Sequence, residues 1–96
     1  MKKDFLLTVT SPDGQVCSER ISSLTVRGKE GEITILSHHA PLLSSVLAGR
    51  CRMTLEHGEE RVAEMSEGIL SVQEDEVTLI CQNFHYIDSD NKGITF

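Results

Sequence analysis

The sequence predicts an all-β domain, a sandwich or flattened barrel of about ten short antiparallel strands. Three observations point that way. Apolar residues recur with a period of two along most of the chain, the pattern of half-buried strands. Turn signals built on Gly, Pro and Asp interrupt that pattern roughly every eight to twelve residues. No stretch sustains the 3.6-residue period of an amphipathic helix.

Phe5-Leu6-Leu7-Thr8-Val9-Thr10 reads as the first strand, with Phe5, Leu7 and Val9 on one face. Ser11-Pro12-Asp13-Gly14 is a turn: proline presets φ at its second position, and Gly14 can take the positive φ that launches a return through Gln15-Val16-Cys17. A polar lead-in, Ser18-Glu19-Arg20, precedes a separate strand over 21–27, whose Leu24 and Val26 share a face. Residues 28–31 form a four-residue polar tip, after which Ile33 and Ile35 resume the alternation and Leu36 points the other way. Residues 42–48 read equally as a short strand or a helical turn, ended by Gly49. Arg50-Cys51-Arg52-Met53-Thr54-Leu55 alternates strictly, with Cys51, Met53 and Leu55 inward and the arginines outward. His57-Gly58 tips a hairpin that returns over 61–65, and segments 68–73 and 77–81 form a last hairpin through the acidic Glu74-Asp75-Glu76. Residues 1–88 make one domain; 89–96 read as a polar, disordered tail.

Charge and composition exclude several functions. Fifteen acidic residues outnumber nine Lys and Arg, for a net charge of −6, whereas a nucleic-acid or anionic-membrane surface calls for clustered basic residues. No apolar window approaches the roughly 18–20 residues of a membrane span. After Lys2 and Lys3 the N-terminus alternates like a strand, not like a signal-peptide core, so a cytosolic place, or a membrane reached only through partners, is expected. Cys17, Cys51 and Cys81 lie far apart in slots of apolar alternation and are expected to be buried free thiols.

Chemistry is sparse. Gly-x-Ser-x-Gly is absent, and Gly28-x-x-Gly31 lacks the Gly-Lys-Ser/Thr that completes a phosphate loop. His38 and His39 are adjacent and on a strand would point to opposite faces, which suits a loop-bracing histidine better than a metal site. The acidic clusters at the hairpin tips read as solvated loops that guard sheet edges. Three phenylalanines, one tyrosine and no tryptophan offer no stacking platform. No cofactor, no metal and no enzymatic activity are expected. Two other readings stay open: a swinging-arm carrier domain modified at Lys29, whose neighbours Gly28 and Glu30 do not fit the carrier pattern, and a metal-dependent β-barrel enzyme using His38 and His39.

The order of residues in Gly28-x-x-Gly31-Glu32-Ile33-x-Ile35-Leu36-x-x-His39-Ala40-Pro41-Leu42-Leu43 closely resembles the hallmark segment of the ε subunit of F-type ATP synthases, Gly-x-x-Gly-Glu-x-Gly-Ile-Leu-Pro-Gly-His-Ala-Pro-Leu-Leu. Ser66-Glu67-Gly68-Ile69-Leu70-Ser71-Val72, then Val77-Thr78-Leu79, and the opening Leu7 to Gly14 hairpin are similar to further segments of that family, so the resemblance runs in order from about residue 5 to 88. Departures are Thr34 for glycine, where an extended backbone is then expected, Ser37-His38 for Pro-Gly, and Glu67 for the first of two glycines. No counterpart of the family's C-terminal helical hairpin follows Asp88, which reads as an N-terminal domain alone or a natural short form, and the regulation exerted by those helices is not carried over.

The resemblance implies a ten-stranded sandwich at the foot of the rotor, a non-catalytic central-stalk subunit that joins the γ subunit to the membrane c-ring and transmits torque. It implies a peripheral place on the cytoplasmic face of a bacterial or archaeal inner membrane, and a monomer when isolated. Matched residue by residue, Lys29, Glu30, Gly31, Glu32 and His39 fall where the family meets the c-ring, and Leu42, Leu43, Ser44 and Ser45 are candidates for the γ side. Beside these roles stand plainer ones: a solvated Glu32, a His39 that only braces its turn, and core positions for Leu42 and Leu43.

Overall fold

The structure, a computed structural model, describes residues 4–87; the tail expected at 89–96 lies outside them. Nine strands make up the described chain: β1 (Phe5–Ser11), β2 (Gly14–Gly28), β3 (Gly31–Leu36), β4 (Leu42–Val46), β5 (Gly49–Leu55), β6 (Glu60–Met65), β7 (Gly68–Gln73), β8 (Glu76–Cys81) and β9 (Phe84–Ile87). They form one sheet in the order β4-β7-β8-β1-β2-β5-β6-β9, with β3 added on β2 and the path left open at its ends.

The two strands expected on either side of Ser18-Glu19-Arg20 are one 15-residue strand. Continuity comes from its partners. Ile21 pairs with both Phe5 and Leu55, so β1 and β5 occupy opposite edges of β2; Leu24 pairs with both Ile35 and Met53, so β3 takes over the edge that β1 leaves. A register shift between Ile21 and Ser23 marks where the strand passes from one layer to the other. Polar Arg20 does not break the strand because its guanidinium is met by the Asp4 carboxylate.

Other expectations change in detail. Residues 42–46 are a strand, and Gly49 opens β5 where it was expected to close the preceding run. The pairing is antiparallel except between β1 and β8, which run parallel. Phe84-His85-Tyr86-Ile87 adds a strand on β6.

The inward faces are as the alternation predicts. Phe5, Leu7, Val9, Leu24, Val26, Ile35, Cys51, Met53, Leu70 and Leu79 are buried in a core to which every strand contributes, while Leu36 stays 55% exposed. Among the described residues no polar or charged side chain is buried. The cysteines are free: Cys51 and Cys81 are buried, and Cys17 is only half-buried.

Cross-layer bonds define two ends. Leu47 N–H donates to the Arg27 carbonyl (2.8 Å) and Ser66 N–H to the Asn83 carbonyl (3.0 Å), gathering the β2–β3 turn and the β4–β5, β6–β7 and β8–β9 connections at one end. At the other, Glu56 N–H donates to the Arg20 carbonyl (3.2 Å) and Leu6 N–H to the Asp75 carbonyl (3.1 Å), collecting the acidic β5–β6 and β7–β8 turns.

Candidate functional site

Two free sheet edges adjoin at the first of these ends. Among the described strands, β3 pairs only with β2 and β4 only with β7. Gly28 and Gly31 pair across the ladder, so the expected four-residue tip is a two-residue turn, Lys29-Glu30. Gly31 has φ +127, a conformation strained for any residue with a side chain. This turn, with Glu32 and half-buried Ile33, lines a groove of about 470 Å³ whose other side is Leu43, Ser44 and Ser45.

The groove brings together Lys29, Glu30, Gly31 and Glu32 with three of the four β4 residues singled out by sequence. Alternation separates the leucines: Leu42 is half-buried against the core, whereas Leu43 is 75% exposed. The Ser44 hydroxyl donates to the Ser45 carbonyl at 3.0 Å. Glu32 is engaged: Arg52 reaches from β5 across β2 and sets its Nη2 at 3.4 and 3.3 Å from the two carboxylate oxygens. Both side chains are more than half exposed, so the pair contributes only about 0–1 kcal/mol to stability.

His39 does not join this groove. β3 is six residues long, which at about 3.3 Å per residue puts its far end roughly 17 Å from Gly31. There His39 lines a separate recess with Pro41 and the Gln73, Glu74 and Asp75 turn. Its Nδ1–H donates to the Ala40 carbonyl at 2.7 Å, and its backbone N–H to the Leu36 carbonyl at 3.1 Å. Beside it, His38 takes φ 66, in the slot where the resembled motif carries glycine; Thr34 is not among the positive-φ residues and stays in β3.

A second surface went unnoticed in the sequence. Register places Leu43, Ser71, Thr78, Thr8 and Ser18 in one row across five strands, and Ser45, Ile69, Ile80 and Thr10 in the next. No charged side chain interrupts either row, although a quarter of the chain is charged. Ile69 and Ile80 are 45% and 43% exposed there. The signal was present: the outward positions of 68–73 and 77–81 are Ile, Ser, Gln, Thr and Ile, all uncharged, where a solvated sheet face would carry Lys or Glu.

The thiols are held protonated. Burial pushes Cys51 up to about 12, and Cys17 and Cys81 upward as well. The Tyr86 hydroxyl donates to Cys17 Sγ at 3.6 Å, and the Arg61 guanidinium stacks 3.9 Å over the Tyr86 ring. Among the described residues no group of three His, Cys, Asp or Glu is arranged to hold a metal.

The family model for the ATP synthase Delta/Epsilon chain, beta-sandwich domain, matches residues 4–86. The chain belongs to that family. Its fold is also similar to a chain of the Euglena gracilis mitochondrial ATP synthase, solved by cryo-EM with the c-ring, at TM-score 0.83 and 22% identity over 95% of this chain and 60% of that one. A chain of the Tetrahymena thermophila mitochondrial ATP synthase central stalk and c-ring gives TM-score 0.72 and 12% identity over 88% and 66%. This chain thus spans 60% of the Euglena chain's length.

Proposed function

We infer that this protein is a non-catalytic rotor subunit of an F-type ATP synthase, linking the γ subunit to the c-ring on the cytoplasmic face of a bacterial or archaeal inner membrane. Family membership across residues 4–86 carries the reading; the two similar structures are mitochondrial, so the bacterial or archaeal setting is part of the proposal. Lys29, Glu30, Gly31 and Glu32 meet the polar loops of the ring. Leu43, Ser44 and Ser45, continued by the uncharged rows of β7, β8 and β1, meet γ, and Leu42 supports them from beneath. His39 braces the β3–β4 turn at the opposite end and takes no part in the ring contact.

Two physical arguments support this orientation. An exposed face of Ser, Thr and Ile can be desolvated against a partner at little cost, because it leaves no unpaired charge. The acidic turns with Glu56, Glu59, Glu74 and Asp75 collect at the end away from the tip, where repulsion from anionic lipid is weakest.

The test is capture of the tagged full chain from detergent-solubilised membranes of its own organism, with partners identified by mass spectrometry. γ and the c-ring are expected with the wild type. Leu43→Asp should lose γ, and Glu32→Ala should loosen the ring contact. Recovery of the wild type without either partner would overturn the reading.

A further inference from the structure

The end of the sandwich that carries Lys29-Glu30 also presents two guanidinium groups without an anion. Among the described residues neither Arg27 nor Arg50 has an ion-pair partner, in a chain where acids outnumber bases fifteen to nine. Each faces a glutamate across the ladder, and each of those glutamates is engaged elsewhere. Glu32, opposite Arg27, is held by Arg52; Glu64, opposite Arg50, lies 3.5 Å from His85 Nε2.

The arginines are also positioned. The Arg27 stem lies against Gly49, so closely that a Cβ there would come within 2.9 Å of its Cδ, and its carbonyl is bound by Leu47 N–H. Arg50 follows Gly49 and walls a groove of about 390 Å³ completed by Glu64, Met65, Ser66, Asn83 and His85, with the Glu64 carboxylate turned to His85 Nε2 at 3.5 Å. Ser66 Oγ accepts the Gln82 and Asn83 N–H groups, both at 3.0 Å, which fixes that rim and leaves the hydroxyl hydrogen to donate.

We propose that this corner, Arg27 with Arg50 and its groove, docks an acidic side chain, Asp or Glu, carried by a partner polypeptide. The fork of a guanidinium matches a carboxylate, and the neighbouring Ser66 hydroxyl adds a donor of the same sense. Lipid phosphate fits less well. Glu30, Glu32, Glu64 and Glu67 share this end, whereas an anionic bilayer attracts clusters of about four to eight basic residues. Glu30 at the exposed tip offers the partner a negative group and Arg27/Arg50 a positive corner nearby, a two-signed pattern that specifies one register of docking. The identity of the partner rests on the rotor reading; the existence of the corner does not.

Arg27→Lys and Arg50→Lys keep the charge and supply an amine that a carbodiimide couples to a touching carboxylate. Each full-length variant is purified with whatever assembles on it, treated with the carbodiimide, and mapped by mass spectrometry. A cross-link from residue 27 or 50 to an Asp or Glu of another subunit is expected. With Arg27→Gln/Arg50→Gln, retention of the partner should fall about five- to tenfold while the melting temperature holds. Cross-links only to Glu32 or Glu64 of the same chain, or none, in an intact assembly would overturn the proposal. So would loss of flotation with phosphatidylglycerol vesicles in the double variant when the wild type floats, since the anion would then be lipid phosphate. If γ and the c-ring are absent but another protein is cross-linked through its carboxylate, the rotor reading fails and the docking corner stands.

Discussion

Gly68→Ala tests the packing beneath the uncharged face. Gly68 sits where β7 pairs with both β4 and β8, opposite Val46 and Cys81. A Cβ there would meet the Ile80 carbonyl oxygen at 2.0 Å and Cys81 Cβ at 3.0 Å. That oxygen belongs to backbone in the β7–β8 ladder, so relief requires the two strands to part. Overpacking costs about 1–3 kcal/mol where side chains can yield; with backbone as the obstacle the upper end, about 3 kcal/mol, is expected. For a domain of this size that corresponds to a fall of roughly 12–24 °C in melting temperature. Urea titration should show a lower midpoint at an unchanged m-value. Gly58→Ala is the control, since its φ of +101 is unfavourable but a Cβ there meets nothing within 4 Å; it should cost only about 1 kcal/mol. If Gly68→Ala cost no more than Gly58→Ala, the close approach of β7 to β8 would be refuted.

Further outcomes follow from individual residues. His38→Val places a β-branched side chain at φ 66 and should cost about 1–2 kcal/mol by thermal denaturation, whereas His38→Gly should be neutral or slightly stabilising. Raised thiol pKa values mean that the native state keeps protons which the unfolded chain releases, so stability should fall as pH rises from about 9 towards 12. For Cys51 the limit is about 1.4 kcal/mol per pH unit, and Cys51→Ala should show a shallower fall in denaturant titrations across that window. Arg52→Gln should leave the unfolding free energy, read by thermal denaturation, within about 1 kcal/mol of wild type, because the Glu32 pair is exposed. A larger loss would show that Arg52 supports the sheet itself.

Much of the fold was legible because strands announce themselves through local alternation. Phe5, Leu7 and Val9, or Cys51, Met53 and Leu55, point inward for reasons contained within six residues of chain. The Pro12-Asp13 turn likewise needs nothing beyond its own dihedral preferences. The boundary drawn at Ser18-Glu19-Arg20 shows the limit of that logic: its polarity mimicked a loop, but Asp4 and an unbroken ladder with β1 keep it in β2. Candidate contact residues were found through the order of a single motif, which cannot say which of them end up as neighbours. Only pairing in three dimensions brought Glu32 beside Leu43 and Ser45 and moved His39 to the far end of β3. The uncharged rows escaped notice because their members come from β4, β7, β8, β1 and β2, and only the register aligns them.

By itself, then, the sequence determined the all-β class, the inward faces and the family, since periodicity, turn chemistry and motif order are properties of short stretches. The tertiary structure decided that β2 bridges the two layers, that β1 and β8 run parallel, and which side chains share a surface. Those outcomes depend on contacts between residues dozens of positions apart, and local preference carries no information about them.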